Sequence, residues 1–135
     1  MLEQSRRGVS VTMARILVID DDDDFRSMLC TALEQDGYVV EEARNGDEGS
    51  QRQRTEPVDL VITDILMPER EGLETIQALR QEFPELKIIA ITGGVGILNF
   101  LPLARLFGAI RTLQKPFTLQ QLRDVVHEVL QPPTP

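Results

Sequence analysis

The sequence predicts an α/β fold in which helices cover both faces of a doubly wound, five-stranded parallel sheet. Short apolar runs rich in Ile and Val alternate with segments of helical periodicity, and the β-α order occurs five times in 135 residues. Continuous apolar runs suit strands that are covered on both faces, and β-α alternation favours parallel strands joined by right-handed crossovers. The length suffices for one such domain with its own hydrophobic core.

The predicted strands are four apolar runs and one alternating run. The apolar runs lie at 16–19, 58–63, 87–92 and, more weakly, 110–114. The segment 38–42 passes from Tyr and Val into two glutamates, which indicates a strand near an edge of the sheet.

Three predicted helices carry an apolar stripe with spacings of three and four residues. The stripes run over 25–33, over 73–83 and over 119–129. Pro84 closes the second helix, and Thr118 is the expected N-cap of the third.

Two further helices are less regular. Residues 46–55 contain no large apolar residue, so we expect a short or frayed helix there. Residues 97–107 are unusually apolar and contain Pro102, which is tolerated only in a first turn. This helix is therefore predicted to begin near Phe100, with Asn99 as its cap.

The composition excludes several classes of protein. With 14 basic and 22 acidic residues, the formal net charge is -8, which argues against a nucleic-acid-binding domain. Cys30 is the only cysteine, so an internal disulfide and a multi-cysteine zinc site are excluded, and a reducing cytoplasm fits. No apolar run approaches the roughly 20 residues that span a membrane, and the N-terminus lacks the apolar stretch of a signal peptide.

The domain boundaries follow from periodicity and proline content. Residues 1–12 are polar and aperiodic, and we expect a disordered extension there. The domain itself is predicted over 13–130. Residues 131–135 contain three prolines, cannot continue a helix and form a tail.

Reactive side chains stand at the carboxyl ends of four predicted strands, where open α/β sheets bind their ligands. These are Asp20 and Asp21 after the first strand, Asp64 after the third, Thr92 after the fourth and Lys115 after the fifth. Three nearby carboxylates raise one another's pKa unless a cation neutralises them. Hard oxygen ligands without His or Cys favour Mg²⁺ or Mn²⁺.

Such a site suits phosphoryl chemistry. One of its carboxylates can attack phosphorus and give an aspartyl-phosphate. The metal ion and Lys115 would then neutralise the phosphoryl oxygens, while Thr92 would donate a hydrogen bond to one of them.

Four sequence blocks carry a family resemblance. ILVIDDDDDFR, DLVITDILMPEREG, IIAITGG and GAIRTLQKPF resemble the signature blocks of bacterial response-regulator receiver domains. The resemblance covers about residues 14–130. It implies a flavodoxin-like sheet with strand order 2-1-3-4-5, the order of the chemotaxis receiver.

The resemblance also implies a role for each residue of the acidic site. Asp64 matches the phosphoacceptor. Asp20 and Asp21 match the acidic pair, with Asp21 as a direct metal ligand, and the backbone carbonyl of Leu66 would complete the protein's share of the Mg²⁺ ligands.

The remaining site residues and the partners follow from the same resemblance. Thr92 matches the switch hydroxyl, and Lys115 matches the phosphate-binding lysine, with Pro116 after it in a peptide that is typically cis. The implied function is to take a phosphoryl group from the phosphohistidine of a sensor histidine kinase or phosphotransfer protein. Such a chain is a self-modifying switch with at most slow autophosphatase activity rather than a turnover enzyme.

Three positions depart from the family pattern. Thr112 replaces the usual aromatic switch residue, 49–50 is Gly-Ser instead of an Ala-Leu pair, and 93–96 is rich in glycine. Phosphorylation does not depend on these positions, whereas signal output does. We expect output through contact with another protein or a second copy of the chain, with the apolar segment 97–107 as the candidate surface.

Three alternatives stay open. A Mg²⁺-dependent phosphatase of the haloacid-dehalogenase type also uses an aspartate nucleophile, but it needs a second acid two residues later, where this sequence has Leu66. A pseudo-receiver that only binds a partner usually lacks one of the acids or the lysine, and here all are present. The chain could also be a receiver fragment of a DNA-binding regulator, with 131–135 opening the linker.

Overall fold

The structure is a computed structural model that describes residues 14–65, 71–93, 104–105 and 107–131. Several expectations concern residues outside these ranges: the disordered extension at 1–12, the Leu66 carbonyl, the helix start at Asn99 and Phe100, and the end of the tail after Gln131. They are predictions on which the described residues do not bear.

Five parallel strands form in the described residues. They are β1 (Arg15–Ile19), β2 (Val39–Ala43), β3 (Leu60–Asp64), β4 (Lys87–Thr92) and β5 (Arg111–Gln114), in the order β2-β1-β3-β4-β5. This confirms the doubly wound parallel sheet and its 2-1-3-4-5 order. The alternating segment forms an edge strand as predicted, while β1, β3 and β4 lie inside the sheet.

Four helices are described at full length. They are α1 (Asp23–Gln35), α2 (Gly46–Thr55), α3 (Glu71–Glu82) and α4 (Leu119–Leu130). Thr118 caps α4 as predicted. It forms a capping box in which the Thr118 hydroxyl oxygen accepts from the Gln121 backbone N–H and Gln121 Oε1 accepts from the Thr118 backbone N–H. Between β4 and β5, residues 104–105 and 107 are helical.

Two apolar layers hold the helices against the sheet, because successive strand residues point to opposite faces. On one face Ile16 and Val18 of β1 pack with the stripes of α1 and α4. On the other face Leu17 and Ile19 pack with α3. The three internal strands are therefore apolar at nearly every position, and their polar residues are confined to the ends.

Residues 46–55, expected to form a short or frayed helix, form the shortest of the four helices described at full length, and that helix is regular and capped rather than frayed. Helix α2 spans the whole segment, Asn45 caps its N-terminus, and it buries Gly46, Gly49 and Gln53. A Cβ atom at position 49 would overlap Cδ1 of Ile19 and lie 3.0 Å from its Cγ1. The helix backbone thus docks directly on the sheet, a close approach that only glycine permits.

Candidate functional site

The strand register places two of the predicted acids side by side. Ile19 of β1 pairs with Thr63 of β3 at the carboxyl edge of the sheet. The chain continues from there into Asp20 on one strand and Asp64 on the other. Both carboxyl groups therefore stand at the same end of neighbouring parallel strands, as the sequence predicts.

The other half of the site comes from β4 and β5. Thr92 pairs with Gln114, and the backbone N–H of Lys115 donates to the carbonyl of Thr92 at 2.7 Å. Thr92 is buried. The Lys115–Pro116 peptide is cis, as the family resemblance implies. Thr112 pairs with Ala90, two residues before the site edge.

Asp64 and Lys115 form the central ion pair. Lys115 Nζ donates to Asp64 Oδ2 at 3.0 Å, although the two residues lie 51 positions apart in the sequence. The Asp64 side chain is 6% exposed and that of Lys115 is 28% exposed. The carboxylate is therefore largely withdrawn from water while the ammonium beside it keeps a path to solvent.

Asp20 is a buried carboxyl with an incomplete set of partners. Its Oδ1 accepts a hydrogen bond from the Asp22 backbone N–H at 2.9 Å. Its Oδ2 is buried and accepts no hydrogen bond from any described residue. Burial raises the pKa of Asp20 from 3.8 to about 6; the Asp22 N–H opposes this rise, Asp64 adds to it, and Lys115 partly offsets it.

An unpartnered buried carboxylate oxygen next to a second carboxylate calls for a cation. Water cannot solvate this oxygen, and Lys115 is already engaged with Asp64. An all-oxygen donor set of this kind fits Mg²⁺ or Mn²⁺ by its chemistry. In the described ranges, however, no group of three or more His, Cys, Asp or Glu side chains is already arranged to hold an ion.

Asp21, the expected direct ligand, lies exposed at the start of the loop that leads into α1. Asp22 caps that helix and accepts from two backbone N–H groups at 3.0 and 3.1 Å. Asp23 and Asp24 are exposed in the first turn, where carboxylates favour the helix dipole. The acidic run thus has a buried member, Asp20, at the carboxyl edge of the sheet, an exposed Asp21 beside it, and a solvated N-terminal turn of α1.

Arg26 is a site-supporting residue that sequence reasoning missed. Its buried guanidinium donates to the main-chain carbonyl of Asp20 at 2.6 Å, to Glu42 Oε1 at 2.8 Å and to Asp23 Oδ1 at 2.6 Å. It therefore ties the acidic loop to helix α1 and to strand β2. Its place within the apolar stripe of α1 was the available signal, because a buried arginine needs several acceptors.

Two other candidates have ordinary structural roles. His127 is exposed on α4 and lies 2.8 Å from the side-chain nitrogen of Gln131. Cys30 is buried against the core, and burial raises the pKa of its thiol to about 12.

The response regulator receiver domain family matches residues 16–127. The chain belongs to that family. Response regulator receiver protein CpdR of Brucella abortus is 41% identical over 118 residues, which cover 87% of this chain and 94% of that protein. The receiver fold and the phosphoacceptor class of function predicted from the sequence are thereby confirmed.

Solved structures agree with this assignment. The CheY-like receiver domain protein of Methanospirillum hungatei superposes with a TM-score of 0.80 at 30% identity, covering 87% of this chain and 94% of that one. The beryllofluoride-activated NtrC4 receiver domain dimer gives 0.79 at 27% identity, covering 87% and 97%. In a sensor kinase and two larger regulators that also match, this receiver spans 13% to 26% of the protein.

Receiver domains are phosphoacceptor switches, and they work with histidine kinases and output domains. In the part of this receiver that the structure describes, no helix has the length and apolar character to cross a bilayer.

Proposed function

We propose that this receiver accepts a phosphoryl group on Asp64 from the phosphohistidine of a sensor histidine kinase or phosphotransfer protein. One observation carries the proposal: Asp64 is buried and pairs with Lys115 at 3.0 Å, beside the unpartnered buried oxygen of Asp20. A nucleophile, a positive charge and a buried carboxylate oxygen that can bind a cation thus share one edge of the sheet.

The transfer needs no acid or base from the protein. A carboxylate oxygen of Asp64 attacks phosphorus, the P–N bond of the phosphohistidine breaks, and the imidazole nitrogen keeps the electron pair. Lys115 follows the negative charge from the carboxylate to a phosphoryl oxygen. We assign Thr92 the role of donating its hydroxyl to another phosphoryl oxygen.

We assign the metal site to the carboxylates of Asp20, Asp21 and Asp64 and the main-chain carbonyl of Leu66. Mg²⁺, or Mn²⁺ in its place, would neutralise these carboxylates and the charge on the phosphoryl oxygens. The raised pKa of Asp20 supports this assignment, because burial and the neighbouring carboxylate of Asp64 disfavour the ionised acid, and a bound cation would favour it.

The output of the switch is also a proposal. The solved relative NtrC4 is a dimer in its beryllofluoride-activated state, which supports a second copy of this chain as a partner. We propose segment 97–107 as the contact surface, for that copy or for another protein. We further propose that the receiver slowly removes its own phosphoryl group. The folded unit is proposed to span 13–130, with 1–12 and 131–135 outside it. We also propose a cytoplasmic location. The buried thiol of Cys30 fits that reducing compartment.

Intact-mass measurement tests the phosphoacceptor. The wild type should gain one phosphoryl group from acetyl phosphate with Mg²⁺, and Asp64→Asn should gain none. Asp124→Asn removes an exposed acid of α4 and should react like the wild type. Phosphorylation of Asp64→Asn at Asp20 or Asp21, or full modification in EDTA, would contradict the proposal.

A further inference from the structure

The ammonium of Lys115 has a second neighbour that the phosphoryl chemistry does not use. Its Nζ lies over the ring of Phe25, 4.0 Å from the ring centroid. The same nitrogen is 3.0 Å from Asp64 Oδ2. The ammonium is therefore held between an aromatic face and the carboxylate, within the range in which a cation is attracted by the ring.

The ring itself is fixed from two directions. The backbone N–H of Phe25 donates to Asp22 Oδ1 at 3.1 Å, which fixes the residue in the first turn of α1. Its ring meets the ring of Phe117 edge to face, with the centroids 6.1 Å apart and the planes at 74°. Phe117 follows Lys115 by two residues, so the strand end that supplies the lysine also supplies support for the ring.

We propose that Phe25 is a positioning residue whose ring face holds the Lys115 ammonium at the phosphoryl pocket. This inference rests on the function proposed above for Asp64 and Lys115. A lysine has a flexible four-carbon stem, so most of its conformers would point its charge into water. The ring restricts these conformers before the phosphodonor arrives.

An aromatic face suits this task better than a polar residue would. It attracts the ammonium through its quadrupole, yet it offers no strong hydrogen-bond acceptor that would compete with a phosphoryl oxygen for the three N–H donors. Lys115 can thus exchange Asp64 for the phosphoryl group while it stays over the ring. A carboxylate at position 25 would instead capture the lysine.

The first experiment separates the ring face from apolar packing, because Phe25 also contacts the core layer of α1 and α4. Phe25→Leu keeps an apolar side chain and should slow phosphorylation by acetyl phosphate by about two- to fivefold, the loss expected for a partly exposed cation–π contact. Phe25→Tyr keeps an aromatic face and should be phosphorylated at the wild-type rate. Replacement of Phe25 by a ring-trifluorinated phenylalanine, which keeps the shape and weakens the face, should be as slow as Phe25→Leu.

A matched control is available elsewhere in the chain. Phe83 is also half-buried, but it packs in the other core layer, which faces α3. Phe83→Leu should leave the phosphorylation rate unchanged. If the trifluorinated ring reacts like the wild type while Phe25→Leu is slow, packing explains the effect and the inference is overturned.

The second experiment does not depend on phosphorylation. The sequence has two lysines, so ¹³C-lysine labelling gives two sets of ε signals. The ring current of Phe25 should shift the Lys115 signal, and Phe25→Leu should remove that shift. Lys87 donates to the Val129 carbonyl at 2.9 Å and serves as the internal reference. If the Lys115 signal is the same in the wild type and in Phe25→Leu, this inference is overturned and the proposed function is not affected. If the wild type gains no phosphoryl mass, the proposed function is overturned.

Discussion

Replacement of Asp20 by Asn should stabilise the metal-free protein at neutral pH. Folding raises the pKa of this carboxyl from 3.8 to about 6, so the folded state binds the proton more tightly than the unfolded state does. The free energy of unfolding therefore falls as the pH rises between these two values. Asn cannot ionise and avoids this loss, and its amide oxygen can still accept the Asp22 N–H.

The structure sets the size of the effect. At about 1.4 kcal/mol per pH unit, a rise from 3.8 to about 6 corresponds to at most about 3 kcal/mol. Asn would bury an amide NH₂ in place of the unpartnered Oδ2, which offsets part of this gain, so we expect a net gain of about 1–2 kcal/mol. For a domain of this length the melting temperature should rise by about 4–8 °C.

Urea unfolding followed by circular dichroism, with EDTA present, measures this gain at about pH 7.5. At about pH 4.5 the wild-type carboxyl is largely protonated in the folded state, and the gain should shrink to about a third. Asp124→Asn changes the formal charge equally at an exposed site on α4 and should show neither effect. Mg²⁺ should stabilise the wild type through preferential binding to the folded state and should stabilise Asp20→Asn far less.

Two results would refute this reasoning. If Asp20→Asn is less stable than the wild type at neutral pH without metal, the buried oxygen has a partner that the carboxylate prefers. If the gain is the same at both pH values, ionisation of Asp20 is not its source.

Three further changes probe the scaffold of the site. Gly49→Ala should lower the free energy of unfolding by about 1 kcal/mol, because overpacking against Ile19 exceeds the gain in helix propensity. Ser50→Ala on the same helix should leave it unchanged or raise it. Equal urea midpoints for the two variants would contradict the close docking of α2 on the sheet. Arg26→Met should lower the free energy of unfolding by about 1–3 kcal/mol, because the buried main-chain carbonyl of Asp20 loses its donor. It should also weaken Mg²⁺ binding, measured by calorimetry. Unchanged Mg²⁺ affinity would exclude a role of Arg26 in the site. Cys30 should react with a thiol reagent only as fast as the protein unfolds; rapid labelling of the native protein would show that it is accessible.

Periodicity and strand-end positions were sufficient to predict the five strands, the three helices with apolar stripes, and the place of Asp20, Asp64 and Lys115 at one edge of the sheet. Asp64 and Lys115 are far apart in the sequence, yet parallel strands bring their ends together whatever the separation. The strand order came from the family resemblance, because the alternation of strands and helices alone does not fix it.

Contacts between segments that are distant in the sequence could not be predicted. Helix α2 contains no large apolar residue, so hydrophobic periodicity gave no sign that it packs on the sheet. It packs there because Gly49 lets the helix backbone itself contact Ile19. The role of Arg26 was missed because one of its acceptors, Glu42, lies on strand β2, 16 residues further along the chain. Phe25 was predicted as part of the core stripe, and its neighbour Lys115 arrives from the far end of the chain.

The ion pair across 51 residues also affects how a population of chains behaves in a cell. A chain that has not yet assembled β3, β4 and β5 contains Asp64, but neither Lys115 nor Asp20 stands next to it. Under the function proposed for Asp64, such a chain would be a poor phosphoryl acceptor and a poor metal ligand, because its carboxylate is an ordinary hydrated one. Under that proposed function, newly made or damaged copies would neither take phosphoryl groups from the donor nor pass on a signal, so only correctly folded molecules would signal.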